Sequence, residues 1–389
     1  MNPITSVHLN TARSWRGGER QTLLLLEGLR QRGHQPILVC PPATPLEQRA
    51  RAAEIPVHPL SMRGARDLLQ FRRLIRARQP QIIQYHTAHA HSSGLLARWG
   101  QNSGAKTIVH RRVGCSIHRS GFPGLTSLKY GRSVDRYVVS SDEIARVLQG
   151  DGINKDRIEV VHDGVPPLSI ATTTPSQIRQ QLAVTDDALL IGCVASLTKE
   201  KGHLHLLDAI ALLRHRQRPV HLILIGDGDQ SETLKQHAKQ HGIAERVHFT
   251  GFQPPETISS WLNALDLYLQ PSLEEGLCTS ILDAMNQELP VIASAVGGIP
   301  EMVEDDVTGR LVVAADSSTL AKTIDQLLDD PAGARELALS GAKRARQDFS
   351  ADAMVEGNLA LHRNLLEMTP AQIRPDARTD TRPTERAIG

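Results

Sequence analysis

Short apolar runs alternate with amphipathic segments along the chain, and this pattern predicts alternating strands and helices. In the first half, apolar runs predict strands over residues 6–9, 36–40, 81–85, 107–110, 136–140 and 158–162. Leucines at helical spacing predict a helix over residues 19–32, which Gly33 would end, and a second helix is predicted over 68–78. Strands separated by helices are typical of βαβ units, so we expect a parallel sheet.

The same pattern begins again after a stretch near residues 171–175 that contains threonines and a proline. It predicts strands over residues 189–194, 220–225, 247–250, 267–270 and 291–294, and a helix over 203–214. The second half is therefore predicted to be a second α/β domain. Because open parallel sheets bind ligands beyond the carboxyl ends of their strands, two facing domains would form a cleft lined by loops.

Composition excludes several classes of protein. A length of 389 residues fits two domains, and an aromatic content of 3% leaves few rings to stack on bases, so we expect no nucleic-acid partner. No stretch approaches the roughly 20 apolar residues of a membrane helix, and residues 1–10 lack the features of a secretory signal. The sequence thus predicts a cytoplasmic protein. Cys40, Cys115, Cys193 and Cys278 lie far apart in sequence, which predicts reduced thiols.

Charge is distributed unevenly along the chain. Residues 1–165 contain 24 Lys+Arg against 12 Asp+Glu, whereas the remainder contains 20 against 30, although the net charge is only +2. The basic half could face an anionic membrane, where each nearby Lys or Arg contributes about 1 kcal/mol. It could instead attract phosphorylated substrates or nucleic acid, or simply form solvated helix faces.

The densest group of candidate functional residues follows the predicted strand 267–270. Gly276 would let the backbone approach a ligand, and a helix that begins within 277–280 would direct N–H groups and its dipole at a phosphate. Glu275 and Asp283, the latter placed about two turns into the helix, could each hold hydroxyl groups. The alternative is that Glu275 caps the helix and Asp283 is solvated.

Three other segments offer weaker signals. Gly297 and Gly298 precede a proline, where they could present bare N–H groups or form a tight turn. Lys201 follows the predicted strand 189–194 and could neutralise a diphosphate or be an ordinary surface lysine. Gly17 and Gly18 occupy the first strand-to-helix turn, but the chain has neither a G-x-G-x-x-G fingerprint nor a G-x-x-x-x-G-K-[ST] loop.

Two histidines end predicted strands where a cleft is expected. His86 and His110 could bind an acceptor hydroxyl or move a proton. His86, His89 and His91 are also spaced as a metal cluster could be. Because no carboxylate or cysteine stands near them in sequence, we expect no metal there.

Taken in order, these motifs resemble the retaining family 4 glycosyltransferases of the GT-B fold. The most specific stretch, Glu275-Gly276 through Asp283 and then Gly297-Gly298-Ile299-Pro300-Glu301, is similar to that family's E-x7-E region and G-G-x-P-E. Supporting matches are Lys199-Glu200-Lys201-Gly202, Ile225-Gly226-Asp227-Gly228, Val247-His248-Phe249-Thr250-Gly251, Asp163-Gly164-Val165 and, shortened by one residue, Gly17-Gly18-Glu19. The resemblance covers nearly the whole chain except its end.

The resemblance implies an α/β fold of two Rossmann-like parallel-sheet domains that face each other across a cleft. Residues 1–165 would bind the acceptor, and residues 166–350 would bind the nucleotide-sugar. A helix over 351–368 would cross back to the first domain, and residues 369–389, rich in Arg, Asp, Thr and Pro, would form a disordered tail. Transfer would retain the anomeric configuration without a metal.

The resemblance also implies roles for individual residues. His110, Glu275 and Lys201 would be catalytic, with His110 near the acceptor and the reacting carbon, Glu275 on the donor sugar and Lys201 on the departing diphosphate. The implied donor-binding residues are Gly17, Gly18, Ser196, Lys201, Gly226, Glu275, Gly276, Leu277, Cys278, Thr279 and Asp283. The implied acceptor-binding residues are Arg16, His86, Arg111 and Arg112.

Three positions depart from the family pattern. Ser196 stands where the family has Arg, so one of two positive charges is missing, and Arg16, Arg111 or Arg112 could substitute. Asp283 stands where the family usually has Glu, so its carboxylate reaches less far toward the ribose. Glu288 stands where the family often has Gly, and the sequence offers no physical account of that change.

The resemblance leaves the substrates open. The donor could be linked to UDP, GDP or ADP, and no cofactor is expected. A glycan or lipid-linked acceptor in cell-surface polysaccharide or lipopolysaccharide synthesis is implied, with the protein in the cytoplasm or on the inner face of the plasma membrane. A nucleotide-sugar epimerase and a nucleotide-binding relic without turnover are the alternatives.

Overall fold

The first domain is built on a seven-stranded parallel sheet. The computed structural model describes residues 2–100, 103–117, 128–167 and 170–368. The strands are β1 (Thr5–Leu9), β2 (Gln35–Cys40), β3 (Val57–Pro59), β4 (Ile82–Tyr85), β5 (Lys106–Arg111), β6 (Arg136–Val139) and β7 (Ile158–Val160). They lie in the order β3-β2-β1-β4-β5-β6-β7. The six strands predicted in this half are confirmed to within two residues at each end, and the pattern missed only the short edge strand β3.

Helices flank this sheet. They are α1 (Gly17–Gln31), α2 (Pro45–Ala52), α3 (Ala65–Arg78), α4 (Ala88–Arg98) and α5 (Asp142–Gly150). Helix α1 begins two residues earlier than predicted. The side chain of Glu19 accepts a hydrogen bond of 3.0 Å from the backbone N–H of Arg16, which satisfies a donor just before the helix starts.

The second domain contains a six-stranded parallel sheet. Its strands are β8 (Leu189–Val194), β9 (Val220–Ile225), β10 (Val247–Gly251), β11 (Leu267–Gln270), β12 (Val291–Ser294) and β13 (Arg310–Val312), in the order β10-β9-β8-β11-β12-β13. Its helices are α6 (Pro175–Gln181), α7 (His203–Leu212), α8 (Ser231–Gln240), α9 (Ile258–Asn263), α10 (Thr279–Asn286), α11 (Ile299–Met302), α12 (Ser317–Asp329) and α13 (Pro331–Asp348). Four of the five predicted strands match their observed bounds.

The strands of the second sheet are buried on both faces. Leu190 and Ile223 pack in one apolar cluster, whereas their neighbours Ile191 and Leu222 pack in another on the opposite face. This is why the strands appear in the sequence as continuous apolar runs instead of alternating ones.

The chain crosses between the domains twice, and the two crossings are hydrogen-bonded to each other. The N–H of Val165 donates to the carbonyl of Phe349 over 2.9 Å, and the N–H of Ala351 donates to the carbonyl of Val165 over 3.0 Å. Beyond this point α14 (Ala351–Glu367) packs on α1 in the first domain. A Cβ at Gly28 would lie only 2.4 Å from a methyl group of Val355, so glycine permits the two helices to approach closely.

Within the described parts of the chain, no helix combines the length and the apolarity that crossing a membrane requires. The predicted tail, 369–389, lies outside the described residues.

Candidate active site

The amino-terminal ends of two helices face each other between the domains. Helix α1 begins at Gly17, and a Cβ placed there would lie 3.8 Å from Oγ1 of Thr279, where α10 begins. Each helix end carries partial positive charge and N–H groups without intrahelical partners. The predicted start of α10 is confirmed, whereas Asp283 lies about one turn into that helix and not two. Two such ends that converge from opposite sides form a site suited to an anion.

Lys201 and Glu275 form an ion pair beside these helix ends. The Nζ of Lys201 lies 2.5 Å from Oε1 of Glu275, and the side chains are only 20% and 8% exposed. The hydroxyl of Ser272 donates to the same carboxylate oxygen over 2.8 Å. Glu275 therefore does not cap the helix, and Lys201 is not an ordinary surface lysine.

Electrostatics keep this lysine charged. Burial by itself would lower the pKa of Lys201, but the acidic groups of Cys278 and Glu275 raise it above its ordinary value. Of these two, Glu275 supplies the negative charge at neutral pH, because burial raises the pKa of the Cys278 thiol to about 12. The cleft therefore contains a desolvated ammonium group, paired with a carboxylate four residues before the start of α10.

Buried polar side chains at the end of β11 hold the Glu275 carboxylate in place. The amide of Gln270 donates to the Ser272 hydroxyl over 2.8 Å, and the Tyr268 hydroxyl donates to Gln270 over 2.9 Å. All three residues are buried. None of the three was predicted from the sequence, although a glutamine that ends an otherwise apolar strand is a signal that could have identified this network.

Asp283 is paired with an arginine of the other domain. The guanidinium of Arg20 in α1 donates to the two carboxylate oxygens of Asp283 over 2.5 and 2.9 Å. The Asp283 side chain is 8% exposed and that of Arg20 is 24% exposed. Asp283 is therefore neither solvated nor free, and the alternative of a solvated residue is wrong.

Glycines in the second domain let its loops pack against neighbouring carbonyl groups. A Cβ at Gly276 would lie 2.2 Å from the carbonyl of Arg112 in the other domain. Gly297 has a φ of 54°, and a Cβ there would lie 1.9 Å from the carbonyl of Glu275. The N–H of Gly298 donates to the carbonyl of Gly276 over 3.0 Å, so of the two alternatives for this residue the structural turn is the one observed.

Glu301 is the last residue of the Gly297-Gly298-Ile299-Pro300-Glu301 motif, and it contacts the first domain. Its carboxylate accepts hydrogen bonds from the N–H groups of Asp142 and Glu143, over 2.9 and 3.2 Å, at the start of α5. The Nε2 of His162 lies 2.9 Å from the same carboxylate. A carboxylate at a helix N-terminus is stabilising, so this glutamate caps a helix of the facing domain.

The other residues predicted to bind the donor offer mainly backbone atoms to a ligand. Gly226 has a φ of 147°, and a Cβ there would lie 1.9 Å from the carbonyl of Ala195. The side chains of Leu277 and Cys278 are buried in the core, so a ligand could contact only their backbone. Gly18 lies in the first turn of α1 with open space around its Cα. Ser196, with a half-buried hydroxyl, brings no charge to the site.

Two of the three arginines proposed to compensate for Ser196 have partners within the first domain. Arg111 is buried and donates to the carbonyl of Cys115 over 2.5 Å. Arg112 forms an ion pair of 2.8 Å with Asp163, which ends the first domain.

Arg16 differs because it is exposed at the start of α1. The pKa of Glu200, next to Lys201, lies below its ordinary value, chiefly because of a backbone hydrogen bond and to a smaller extent because of Thr198, Lys201 and Arg16. The charge of Arg16 is therefore felt at Glu200, in the loop that contains Lys201.

The acceptor-side histidines belong to a larger buried cluster. The Nε2 of His110 lies 2.5 Å from the side-chain oxygen of Gln84, and the ring of His86 stacks on that of His110 with their centroids 4.3 Å apart. His8 bonds His86 over 3.1 Å, and Gln84 bonds His362 of α14 over 2.8 Å. His110 is 5% exposed, whereas His86 is half-buried. The structure therefore leaves His86 the more accessible of the two.

Burial lowers the pKa of every histidine in this cluster, and neighbouring histidines and Arg112 lower it further at His86 and His110. The sequence analysis missed His8, Gln84 and His362, which only the tertiary fold brings to this place. Among the described residues, His86, His89 and His91 do not form a group of converging metal ligands.

Two family models match most of the chain. A model for Glycosyltransferase Family 4 matches residues 15–167, and a model for Glycosyl transferases group 1 matches residues 175–348. A 2-deoxystreptamine glucosyltransferase of Streptomyces kanamyceticus is 31% identical over 49% of this chain and 51% of its own length. The GDP-mannose-dependent monoacylated alpha-(1-6)-phosphatidylinositol monomannoside mannosyltransferase of Corynebacterium glutamicum is 26% identical over 67% of this chain and 71% of its own length. The chain spans about half the length of most of the curated relatives it matches.

Solved structures share the fold over nearly all of the chain. A glycosyltransferase from Rickettsia africae superposes with a TM-score of 0.82 at 20% identity, over 95% of this chain and 100% of its own. Anabaena Alr3699/HepE, solved in complex with UDP and glucose, superposes with a TM-score of 0.80 at 21% identity, over 94% of this chain and 100% of its own. With both halves matched by their family models and the two-sheet architecture shared, the chain belongs to glycosyltransferase family 4 and has the GT-B fold.

Proposed function

We propose that the chain transfers a sugar from a nucleotide-diphosphate donor to a glycan or lipid-linked acceptor, with retention of configuration and without a metal. The observation that carries this proposal is the desolvated Lys201–Glu275 pair beside the facing ends of α1 and α10. A diphosphate would fit where Lys201 and the two helix dipoles converge. A relative named as GDP-mannose-dependent and a structural neighbour solved in complex with UDP-glucose support a nucleotide-sugar donor, although the two nucleotides differ.

In the proposed reaction the bond between the anomeric carbon and the diphosphate oxygen breaks, and its electron pair stays on that oxygen. The oxygen of an acceptor hydroxyl forms the new bond to the anomeric carbon on the same face, and its proton passes to the departing phosphate oxygen. Because negative charge grows on the leaving group, Lys201 and the helix ends stabilise the transition state more than the ground state. Glu275 would position the donor sugar through its hydroxyl groups.

The donor's ribose would compete with Arg20. Asp283 lies one turn along α10 from the anion site, where it would accept hydrogen bonds from ribose hydroxyls, but both of its oxygens are bound by Arg20. Donor binding would thus displace Arg20 from Asp283. The freed guanidinium would stay within the cleft and could add, with Arg16, to the positive charge that Ser196 does not provide.

The acceptor would bind on the side of the first domain, where Arg16 and His86 are accessible and Arg111 and Arg112 frame the loop that follows β5. His86 covers one face of His110, so we assign the first contact with the acceptor to His86. The role of His110 beside the reacting carbon stays a prediction. A cell-surface polysaccharide or lipopolysaccharide precursor is the acceptor class we propose.

A surface of the first domain supports a position on the inner face of the plasma membrane. Helix α3 exposes Arg66, Leu69, Arg73 and Arg76, which recur at helical spacing on one face. Next to it, at the end of α4, Trp99 is 73% exposed, and its carbonyl is bound by Arg72 of α3 over 2.9 Å. Arginines interleaved with exposed apolar side chains suit an anionic lipid surface.

Liposome co-sedimentation tests the membrane proposal. We expect binding to anionic vesicles that falls as salt rises, and that weakens in Trp99→Ser but not in Phe252→Ser, a control on an exposed apolar residue of the second domain. Binding that is insensitive to salt, or equally weakened in both variants, would contradict the proposal.

A donor screen tests the enzymatic proposal. The protein is incubated with UDP-, GDP- and ADP-linked sugars, and release of the nucleoside diphosphate is measured. We expect turnover of at least one donor, loss of that turnover in Glu275→Ala and Lys201→Ala, and little change in Glu274→Ala, which removes an exposed neighbour. Unchanged turnover in both Glu275→Ala and Lys201→Ala would contradict the proposal. Formation of an isomerised donor in the absence of an acceptor would indicate a nucleotide-sugar epimerase. Binding of a nucleotide without turnover of any donor would indicate a nucleotide-binding relic.

A further inference from the structure

A group of potential metal ligands lies on two neighbouring helices of the second domain. Asp208 in α7 faces His237 in α8 and His241, which follows directly after α8. The three ligand atoms all lie within 4.8 Å of one another. We propose that Asp208, His237 and His241 bind a divalent transition metal ion such as Zn²⁺.

The spacing of the two histidines favours a shared ligand. His237 and His241 are four residues apart, so their side chains lie one turn apart on the same helix face. Their ring centroids are 4.3 Å apart. Two imidazoles at this spacing together with a carboxylate from a second element are ligand types that suit Zn²⁺, Co²⁺ and Ni²⁺.

The distances are close to those that a tetrahedral ion requires. The Nε2 atoms of His237 and His241 lie 2.6 and 3.6 Å from the same carboxylate oxygen of Asp208. Zinc bonds of about 2.0–2.2 Å place neighbouring ligand atoms of a tetrahedron about 3.3 Å apart. A small rotation of the Asp208 side chain would therefore complete three ligand positions.

An ordinary ion pair explains only part of this arrangement. One protonated histidine would satisfy Asp208, as His237 could at 2.6 Å, yet the Nε2 of His241 points at the same oxygen from 3.6 Å, beyond hydrogen-bond distance. The side chains of the three residues are 24–42% exposed, so an ion could reach them from solvent and complete its coordination with water.

The chain also offers a matched control. His221 and His248 face each other with 3.0 Å between Nδ1 and Nε2, and their rings are stacked with centroids 5.3 Å apart. No third ligand joins this pair among the described residues. Two imidazoles without a carboxylate should bind an ion much more weakly, so this pair separates a built site from general histidine affinity.

The experiment titrates the full chain, without a purification tag, with Co²⁺, and follows the visible absorption of the bound ion and its loss when Zn²⁺ is added. We expect one Co²⁺ per chain. Affinity should fall by at least about tenfold in His241→Gln and in Asp208→Asn, since loss even of an indirect partner of a metal costs about this much. His221→Gln should bind as the unchanged protein does.

Thermal unfolding provides a readout that is independent of catalysis. Zn²⁺ should raise the unfolding temperature of the unchanged protein and of His221→Gln, but not that of His241→Gln, because an ion that binds only the folded state stabilises it. His241 is the most exposed of the three residues, so its variant should fold normally in the absence of metal. Absence of stoichiometric binding, or equal binding by His241→Gln and the unchanged protein, would overturn the proposal.

Discussion

The two sides of the cleft are constructed differently. On the donor side, Lys201, Glu275 and Asp283 each follow a strand of the second sheet within one loop or one helical turn, and consecutive motifs place them. On the acceptor side, His110 acquires its environment from β1, β4 and α14, which are distant in sequence. Residues in contiguous loops can be identified together from the sequence. At the histidine cluster the strand ends indicated His86 and His110, but not their partners His8, Gln84 and His362.

The two sides also differ in electrostatics. The donor side contains charged pairs, Lys201 with Glu275 and Asp283 with Arg20, whose partners are largely removed from solvent. The acceptor side contains imidazoles that burial keeps neutral, because it lowers the pKa of each. Substitutions on the donor side should therefore affect charge stabilisation, and those on the acceptor side should affect stability and its dependence on pH.

The largest effect is expected at Lys201. Lys201→Ala removes a desolvated cation from the position proposed for the departing diphosphate, and should lower kcat by about 10²–10³, as loss of one preorganised donor does. The exposed Lys199, two residues earlier, provides the control, since Lys199→Ala should leave kcat almost unchanged. Steady-state rates of nucleoside diphosphate release measure both. A similar small decrease in the two variants would mean that the ion pair is structural.

The second-largest effect is expected at the ion pair between Arg20 of the first domain and Asp283 of the second. If ribose displaces Arg20 from Asp283, a nucleoside diphosphate should bind about tenfold or more tightly than its 2′,3′-dideoxy analogue, the usual contribution of hydrogen bonds to a charged group. Asp283→Ala should remove this preference, and Arg20→Met should increase it. Calorimetric titration measures the ratio of dissociation constants.

The exposed Arg13 supplies the control for charge, because Arg13→Met removes a cation near the start of α1 without touching Asp283. An unchanged ratio in Asp283→Ala would exclude the ribose contact. A ratio that falls in Arg20→Met would indicate that Arg20 assists ribose binding and does not compete with it.

The sequence predicted more of the structure on the proposed donor side than on the proposed acceptor side. The predicted strands 189–194, 220–225, 267–270 and 291–294 agree with the structure because strands buried on both faces leave continuous apolar runs. The pattern did not predict that Gly276 packs against the carbonyl of Arg112, or that Glu301 caps α5, because both contacts cross between domains. Gly276 was predicted to bind the donor, and its observed close approach is to protein backbone. Glu301 was quoted only as part of a motif, and it contacts the backbone of α5 and the side chain of His162.

The histidine cluster should make stability depend on pH. Burial lowers the pKa of His362 from its ordinary value of 6.5 to about 3, and holds those of His8 and His110 well below 6.5. The unfolded chain therefore binds more protons below pH 6.5, and the free energy of unfolding should fall as pH falls from about 6.5 toward 4. Each buried histidine contributes at most about 1.4 kcal/mol per pH unit.

Urea unfolding at pH 7 and pH 5 measures this dependence. His362→Gln, which can still bond Gln84, should reduce the loss between the two pH values, whereas His89→Gln, an exposed control in the same domain, should not. Hydrogen exchange should show that acid opens the first domain before the second. Equal pH dependence in the His362 variant and the unchanged protein would contradict a neutral buried cluster.

The smallest effect is expected at Glu288, which stands where the family often has Gly. This residue lies two positions beyond the end of α10 and has a φ of 58°. This is the left-handed region where glycine is favoured, which accounts for the family's frequent glycine at this position. The Glu288 carboxylate binds Arg335 and Arg346 over 2.8 and 3.2 Å. These half-exposed ion pairs are worth about 0–1 kcal/mol, which partly offsets a left-handed strain of about 1 kcal/mol.

Glu288→Gly should therefore change the free energy of unfolding by less than about 1 kcal/mol, because it relieves the strain but loses the ion pairs and gives the unfolded chain more freedom. Glu288→Ala loses the same ion pairs and retains the strain, so it should be about 1 kcal/mol less stable than Glu288→Gly. Denaturant unfolding of the two variants measures the difference. Equal stability of the alanine and glycine variants would show that the left-handed strain is no larger than the cost of the extra freedom that glycine gives the unfolded chain.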